Sequence, residues 1–123
     1  MFIALSPSHP DPMYKQVTDQ IKDAIATGDL KPNDRLPSVR ELSEALNVSA
    51  ITIKRAYLDL ETDGCILTRA GLGSFVAEIS REALRSRKLD ELRAEVTRIV
   101  RTGAKFGISR EAIIQLTRQV EEQ

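Results

Sequence analysis

Cationic and small polar side chains recur in one short stretch of the 123-residue chain, between residues 40 and 71. Arg40, Lys54, Arg55 and Arg69 supply guanidinium and ammonium donors, and Thr52 adds a hydroxyl. Arginine, lysine and open backbone N–H groups are the usual ligands of phosphate oxygens, and side-chain donors in pairs recognise the edges of bases. The chemistry that these residues favour is therefore hydrogen bonding to a nucleic acid.

Two short amphipathic helices are predicted to position these side chains. The first begins after Ser38, whose side chain forms a capping box with Glu41, and it ends at Asn47, which tolerates the left-handed conformation of a helix stop. Ser49 caps the second helix, so the turn between them has only about three to four residues, the length that a helix-turn-helix needs. The apolar stripes are Val39, Leu42 and Leu46 on the first helix and Ile53, Ala56, Tyr57 and Leu60 on the second.

A glycine-tipped hairpin is predicted after Gly64, where the second helix ends. Cys65–Thr68 and Ser74–Val76 read as two short strands around the loop Arg69–Gly73, whose glycines permit positive φ angles. Helix, turn, helix and hairpin in this order predict a winged helix-turn-helix. In a helix-turn-helix the second helix lies in the major groove with its N-terminal residues against base edges, and the first helix crosses the backbone.

This arrangement predicts a role for each polar candidate. Thr52 and Arg55 are the predicted base readers. The candidates for contact with phosphates or the minor groove are Arg40, Lys54, Arg69 and Gly71. Alternatives stay open, because the arginines could be solvated charges or members of local ion pairs, and the wing glycines could serve only the hairpin turn.

Three segments carry a family resemblance: LPSVREL, NVSAITIKRAY and LETDGCILTRAGLGSFV. They resemble the N-terminal DNA-binding domain of the GntR family of bacterial transcription regulators, over a stretch from Phe2 to Val76. The short remainder resembles the YtrA subfamily, in which a small helical dimerisation segment replaces a large effector-binding domain. Carried over position by position, the DNA contacts of the family fall on Arg40, Ser49, Thr52, Lys54, Arg55 and Gly71.

The chain departs from this family pattern at two positions. Ala50 and Ile51 stand where relatives often carry polar or basic residues. Ile51 suits apolar contact with a thymine methyl group, which is a recognised form of base readout.

The C-terminal third is predicted to form two helices. The first begins near Ser80 and runs to Thr102, Gly103 and Gly107 predict a break, and Ser109 caps the last helix. The first helix carries a seam of three- and four-residue spacing, typical of helices that pack lengthwise, at Leu89, Leu92, Val96 and Ile99. The predicted inward set of the last helix is Ala112, Ile113, Leu116 and Val120.

Two helices this short cannot bury both apolar faces by themselves. Docking onto the first domain is one solution, and pairing with a second copy is the favoured one, because helix-turn-helix proteins commonly read two half-sites as symmetric dimers. The predicted dimerisation residues are Leu89, Leu92, Val96, Ile99, Ile113 and Leu116.

The sequence thus predicts a mainly α protein with a small β-wing. Residues 1–78 are the expected winged helix-turn-helix domain, and residues 79–123 are the expected dimerisation segment. At the N-terminus, Phe2–Leu5 reads as a short strand and a helix runs from Met13 to Gly28. The apolar stripe of that helix is Tyr14, Val17, Ile21, Ala24 and Ile25.

The charge balance is unusual for a nucleic-acid protein. Residues 1–78 contain eight basic and eleven acidic side chains, although neutralising phosphates usually supplies much of the affinity. The cations are therefore expected to converge on one face, with modest non-specific affinity and a strong salt dependence. The same balance motivates an alternative function, a winged-helix module that binds protein.

Other classes of function are not expected. The chain has no apolar run long enough for a membrane and no secretory signal, so a cytoplasmic protein is predicted. Cys65 and His9 are single, which leaves no metal cluster or internal disulfide, and Cys65 is predicted to be a buried structural thiol. No catalytic constellation or cofactor motif indicates an enzyme. The C-terminal segment is too short to enclose an obvious pocket by itself, so an effector site at the dimer interface and control by altered dimer geometry both stay open.

The leading prediction is a homodimeric, sequence-specific transcription regulator on double-stranded DNA. A pseudo-palindromic operator is expected for such a dimer, and repression is the expected outcome.

Overall fold

The computed structural model describes residues 1–78 and 80–120. Within these residues the elements are α1 (Met13–Thr27), α2 (Val39–Leu46), α3 (Ala50–Thr62), β1 (Ile66–Arg69), β2 (Gly73–Val76), α4 (Ser80–Lys105) and α5 (Arg110–Gln119). The predicted fold class, mainly helical with a small β-wing, is confirmed. The chain forms two compact units, the first ending at Arg85 and the second beginning at Ser86.

One apolar core holds the first unit together. From α1, the side chains of Val17, Ile21 and Ile25 are at most 1 % exposed. The core is completed by Leu30, Leu36, Leu42, Ile53, Ala56, Tyr57, Leu60, Cys65, Ile66 and Val76. Burying one isoleucine or leucine side chain contributes about 1.5–3 kcal/mol relative to leaving it exposed. The predicted inward stripes of α1, α2 and α3 are confirmed.

Side-chain caps fix where α2 and α3 begin. Ser38 Oγ accepts a hydrogen bond from the Glu41 N–H at 3.0 Å, and the Glu41 carboxylate accepts one from the Ser38 N–H at 3.2 Å. Asn47 ends α2 with a left-handed φ of 55°. Ser49 Oγ then accepts the Thr52 N–H at 3.1 Å to begin α3. The predicted capping box, helix stop and short turn are all confirmed.

The wing is an antiparallel hairpin in which Ile66 lies opposite Val76 and Arg69 lies opposite Gly73. The first strand is displaced by one residue from the predicted span, and the second begins one residue earlier and ends as predicted, because Arg69 and Gly73 pair with each other instead of belonging to the loop. The loop therefore contains only residues 70–72. Gly71 lies at its centre with a φ of 74°, a conformation that favours glycine.

The prediction of a strand over Phe2–Leu5 is wrong. The side-chain amide of Gln20 accepts from the Ala4 N–H at 2.9 Å and donates to the Ala4 carbonyl at 2.7 Å. Gln16 holds Ser6 in the same way, at 2.9 Å and 3.0 Å. Glutamine side chains of α1 thus satisfy backbone groups that a neighbouring strand would otherwise bind, so the segment needs no strand partner.

The beginning of α4 belongs to the first unit. Arg81 donates from Nε and Nη2 to the carbonyl oxygen of Ala26, at 3.2 Å and 3.0 Å, and Leu84 packs against the core. The last carbonyls of a helix have no partner within that helix, so the arginine satisfies a group that α1 leaves open.

In the second unit, α5 packs against the end of α4. The predicted break at Gly103 is wrong, because α4 continues to Lys105 and the left-handed glycine is Gly107, with a φ of 71°. Gly103 instead permits close approach, since an ideal Cβ there would lie 2.9 Å from Ile113 Cδ1. Ile113 is buried, and Ser109 caps α5 as predicted.

Most of the predicted inward face of α5 is not covered within the described chain. Ala112 is exposed, and Leu116 and Val120 are 52 % and 72 % exposed, so the prediction that these three face inward is wrong for a single copy. Of the four residues predicted to face inward, the second unit buries only Ile113. Four apolar positions of α4 are likewise 42–54 % exposed: Leu89, Leu92, Val96 and Ile99.

Replacing Ser38 with alanine should lower the free energy of unfolding of the first unit by about 1 kcal/mol, because the Glu41 N–H loses its cap. Chemical denaturation followed by circular dichroism measures the change. Ser8→Ala is the control, since its exposed hydroxyl contacts only the hydroxyl of Ser6 among the hydrogen bonds described. Equal stability of the two variants would contradict the capping role.

The capping box also predicts a pH dependence. Hydrogen bonds from Ser38 hold the pKa of Glu41 below its usual value of 4.5. A lowered carboxyl pKa stabilises the fold fully above the unfolded value, and this contribution is lost as the pH falls through the folded value. Glu41→Gln, which keeps an acceptor oxygen, should therefore reduce the loss of stability in acid. Glu44→Gln on the same helix is the control, and an identical acid profile for both variants would reject the assignment.

Candidate nucleic-acid interface

The face of α3 opposite the core is open to solvent. The inward positions of this helix are at most 6 % exposed, whereas Ile51 and Leu58 are 78 % and 61 % exposed. Helical spacing puts Arg55 on the same outer face, between these two apolar side chains. α3 is therefore held by its inner side and presents its outer side, which is the geometry of a helix that enters a groove.

The first turn of α3 brings two of the predicted site residues together. Ser49 Oγ and Thr52 Oγ1 lie 2.7 Å apart and share a hydrogen bond. Each hydroxyl keeps further capacity to donate or accept, because an O–H group has one proton and two lone pairs. Both groups can therefore bond a phosphate or a base edge without leaving the helix.

Arg55 is held in place by α1. Its guanidinium carbon lies 3.9 Å from the centroid of the Tyr14 ring, and Nη2 donates to the Tyr14 hydroxyl at 3.1 Å. A cation–π contact and a hydrogen bond thus act on the same side chain. The predicted base reader is neither a loosely solvated charge nor part of a helical ion pair here.

Arg40 does form the local ion pair that the sequence left open. Its Nε lies 3.1 Å from Glu44 Oε1, four residues along α2, and its side chain is 87 % exposed. Exposed pairs of this kind contribute about 0.3–0.5 kcal/mol, so a phosphate oxygen can replace the carboxylate at little cost. Lys54 is exposed in the first half of α3, immediately before Arg55.

The wing presents a cation on an aromatic support. The guanidinium carbon of Arg69 lies 4.6 Å from the centroid of the Phe75 ring, and its Nη2 reaches Asn33 Oδ1 at 3.5 Å. Gly71 is exposed, and no atom lies within 4 Å of an ideal Cβ built there. A nucleic-acid backbone can approach this turn closely, although the left-handed φ already gives Gly71 a structural role.

Arg35 is a cation that sequence reasoning missed. Its Nε donates to the carbonyl oxygen of Leu72 in the wing at 3.4 Å, and its Nη2 lies 3.9 Å from the Glu41 carboxylate of α2. Gly73 gives it room, since an ideal Cβ there would lie 3.3 Å from Nε. Arg35 and Leu72 are 37 residues apart, so no local spacing could have indicated their contact.

Three acidic side chains line a groove beside the second half of α3: Asp19, Asp59 and Asp63. Lys22 and Asp63 form a half-buried ion pair at 2.8 Å. A groove between α1 and the end of α3 is lined by Tyr14, Lys15, Thr18, Asp19, Lys22, Asp59, Thr62 and Asp63. Part of the negative charge of this unit thus lies near the C-terminus of α3, whereas Lys54 and Arg55 lie in its first half and Glu41 and Glu44 of α2 lie beside Arg35 and Arg40.

No three histidine, cysteine, aspartate or glutamate side chains among the described residues group closely enough to hold a metal ion. In the same part of the chain, no helix combines the length and the hydropathy needed to cross a bilayer. Cys65 is buried in the core. Burial also raises the pKa of Tyr57, whose hydroxyl donates to the Pro37 carbonyl at 2.7 Å.

Comparison with known proteins agrees with this geometry. Residues 13–76 match the sequence profile of the bacterial regulatory proteins of the gntR family. The chain belongs to the GntR family. One relative is YtrA of Bacillus subtilis (strain 168), named an HTH-type transcriptional repressor, which is 28 % identical over 118 residues, 96 % of this chain and 91 % of the relative.

Solved structures extend the comparison. A transcriptional regulator from Oenococcus oeni is 30 % identical, with a TM-score of 0.78 over 96 % of this chain and 98 % of the other. The DNA-binding domain of AraR, solved in complex with operator ORX1, is 32 % identical, with a TM-score of 0.54 over 63 % of this chain and 93 % of the other. This GntR protein is accordingly a DNA-binding transcription regulator with a YtrA-like organisation.

The roles of the individual site residues of this GntR protein stay predictions. Sequence reasoning assigned Tyr14 only to the core, because its spacing matches the apolar stripe of α1. Its second role, as the partner of Arg55, arises across 41 residues of sequence. The one available signal was chemical, since a tyrosine in an apolar stripe carries a hydroxyl that needs a partner.

Proposed function

We propose that this GntR regulator is a repressor that acts as a homodimer on a pseudo-palindromic operator. The proposal is carried by an exposed surface in each unit. In the first unit the outer face of α3 is exposed, and in the second unit a row of apolar side chains on α4 is exposed. The first unit supplies one reader per chain, and the row supplies a surface by which two chains can associate.

The apolar row favours a second copy as its partner. Leu89, Leu92, Val96 and Ile99 recur at three- and four-residue spacing and are 42–54 % exposed. Two copies of one helix related by a two-fold axis can bury the same row twice, and each leucine or isoleucine so covered contributes up to about 1.5–3 kcal/mol. Leu116, at 52 % exposure, extends the proposed dimerisation surface onto α5, and Ile113, which is buried against Gly103 of the same chain, supports that surface from within.

Dimerisation would compensate for the weak charge of each reading unit. With eight basic and eleven acidic side chains, residues 1–78 gain little from long-range attraction to DNA. Holding two readers in one body makes the second contact intramolecular, which raises the overall affinity by orders of magnitude, about 10²–10⁴-fold. A two-fold symmetric protein then reads two half-sites of inverted sequence.

Within each half-site we assign Thr52 and Arg55 to base edges. The exposed Ile51 suits a thymine methyl group. Contacts to phosphates or the minor groove are assigned to Arg40, Ser49, Lys54, Arg69 and Gly71.

Repression is the mode of action that the relatives support, since YtrA of Bacillus subtilis is named a repressor and matches nearly the whole chain. A regulator that binds chromosomal DNA would act in the cytoplasm. A small-molecule effector, where one acts, would bind between the two copies, because such a site would couple ligand binding to the spacing of the readers.

A selection experiment tests the proposed activity. Duplexes of random sequence are bound to the full chain, and the enriched sequence should contain two inverted half-sites. Binding of that operator, titrated between about 50 and 200 mM salt, should weaken steeply because counterions are released from DNA. Enrichment of a single, non-repeated site would contradict the dimeric part of the proposal.

A protein-binding winged helix is the second candidate, and the acidic balance of residues 1–78 is the observation that favours it. The salt titration separates the two functions. A protein-only adaptor would bind no duplex of any sequence, even at low ionic strength.

Arg55→Ala and Arg40→Ala should weaken DNA binding in different ways. Loss of a base-reading arginine costs about 1–3 kcal/mol and relaxes the sequence preference, whereas loss of a phosphate contact weakens all sequences alike and lowers the salt slope by about one. Fluorescence anisotropy with operator and scrambled duplexes measures both effects. Equal losses on both duplexes for both variants would reject this division of roles.

Leu92→Glu should convert the protein to monomers and abolish tight operator binding, because a carboxylate would then lie in the paired apolar row. Sedimentation and anisotropy measure the two effects. Ala94→Glu is the matched control: it adds the same charge on the side of α4 away from the row and should leave both properties unchanged. Monomers of Leu92→Glu that hold the operator as tightly as the parent would refute the dimer argument.

A further inference from the structure

Tyr14 of α1 contacts Arg55 on the outer face of α3. The guanidinium carbon lies 3.9 Å from the ring centroid, and Nη2 donates to the hydroxyl at 3.1 Å. The ring contact fixes the height of the guanidinium above the phenol, and the hydrogen bond fixes its rotation. Together they hold a long, flexible side chain in one orientation.

The support under the arginine is itself rigid. Tyr14 lies in the first turn of α1 and packs, half-buried, against the core. Thr18 Oγ1 donates to its carbonyl at 2.9 Å, and the next turns of α1 bury Val17 and Ile21 completely. An arginine on such a support loses little conformational freedom when it binds. The entropy cost of ordering the side chain is therefore smaller than for a freely moving arginine.

The hydrogen bond to Tyr14 uses one of the five N–H groups of the guanidinium. The remaining donors include one parallel pair, which matches two acceptor atoms in one plane. Guanine offers such a pair in the major groove, O6 and N7, and phosphate offers one on the backbone. The two sources differ in what they require, because a base edge needs a fixed donor orientation and a phosphate tolerates several.

We propose that Tyr14 is a positioning residue that presents Arg55 to a guanine edge in each half-site. This inference rests on the proposed DNA-reading function and adds a specificity determinant outside the helix-turn-helix. Three observations favour guanine over phosphate: Arg55 lies on the outer face of α3, it shares that face with the exposed Ile51, and a rigid ring holds it in a single orientation.

A double-mutant cycle on the full chain tests the coupling. The variants are Tyr14→Leu, Arg55→Ala and the two together, and the readout is the ratio of affinities for the selected operator and a scrambled duplex. Arg55→Ala should lower this ratio by about 10- to 100-fold, as expected when a bidentate contact to a base is lost. Tyr14→Leu should lower it by about 10-fold, and the double variant should match Arg55→Ala alone.

A base analogue identifies the ligand. Replacing each operator guanine in turn by 7-deazaguanine, which lacks the N7 acceptor, should weaken binding by the parent about 10-fold at one guanine per half-site. The same replacement should have no effect on Arg55→Ala and a reduced effect on Tyr14→Leu. Tyr14→Phe, which keeps the ring and removes the hydroxyl, should fall between the parent and Tyr14→Leu.

Tyr57→Phe is the control for a purely structural effect. It removes a hydroxyl that bonds the Pro37 carbonyl elsewhere in the same unit, so it should lower thermal stability and leave the affinity ratio unchanged. Tyr14 variants that lose stability and keep the ratio would show that the contact only braces α1 against α3, which overturns the inference. Equal weakening on both duplexes would assign Arg55 to phosphate and also overturn it. A parent protein that binds no duplex would instead overturn the proposed function on which the inference rests.

Discussion

The structure depends on burial of one side of α3. Ile53, Ala56 and Leu60 are completely buried in the core formed with α1, α2 and the hairpin, and this fixes which side chains of the helix point to solvent. Because helical geometry leaves no choice for the remaining positions, the core decides the identity of the reading surface. Arg55 faces solvent for the same reason that Leu60 is hidden from water.

For the first unit, the positions of the charged side chains matter more than the net charge. Lys22 pairs with Asp63 near the C-terminus of α3 at 2.8 Å, whereas Glu41 and Glu44 lie beside Arg35 and Arg40. The cations near the other end rest on aromatic rings or form weak exposed pairs. Screening limits the reach of charges to about 8 Å at physiological salt, so a local group of cations can act on a groove although the domain is acidic.

Sequence alone predicted the features that depend on near neighbours in the chain. The capping box of Ser38 and Glu41 and the stop at Asn47 follow from bonds that span three or four residues. The errors occur where distant residues intervene: Gln20 replaces a strand partner for Ala4 across 16 residues, and Ile113 occupies the space that Gly103 leaves. The orientation of Arg55 also depends on a distant residue, because the ring of Tyr14 that contacts it lies 41 positions away in the sequence.

The reaction rate of the Cys65 thiol can report how often the first unit opens. The thiol is fully enclosed by the core, at 0 % exposure, and it is the one cysteine of the chain. A thiolate reacts with a soluble disulfide reagent only after the surrounding side chains move apart, so its labelling rate reports how often the reading unit opens. Binding of an operator to the closed form would slow that reaction in proportion to its occupancy, and the affinity could be obtained from the rate without a fluorophore attached beforehand to either molecule.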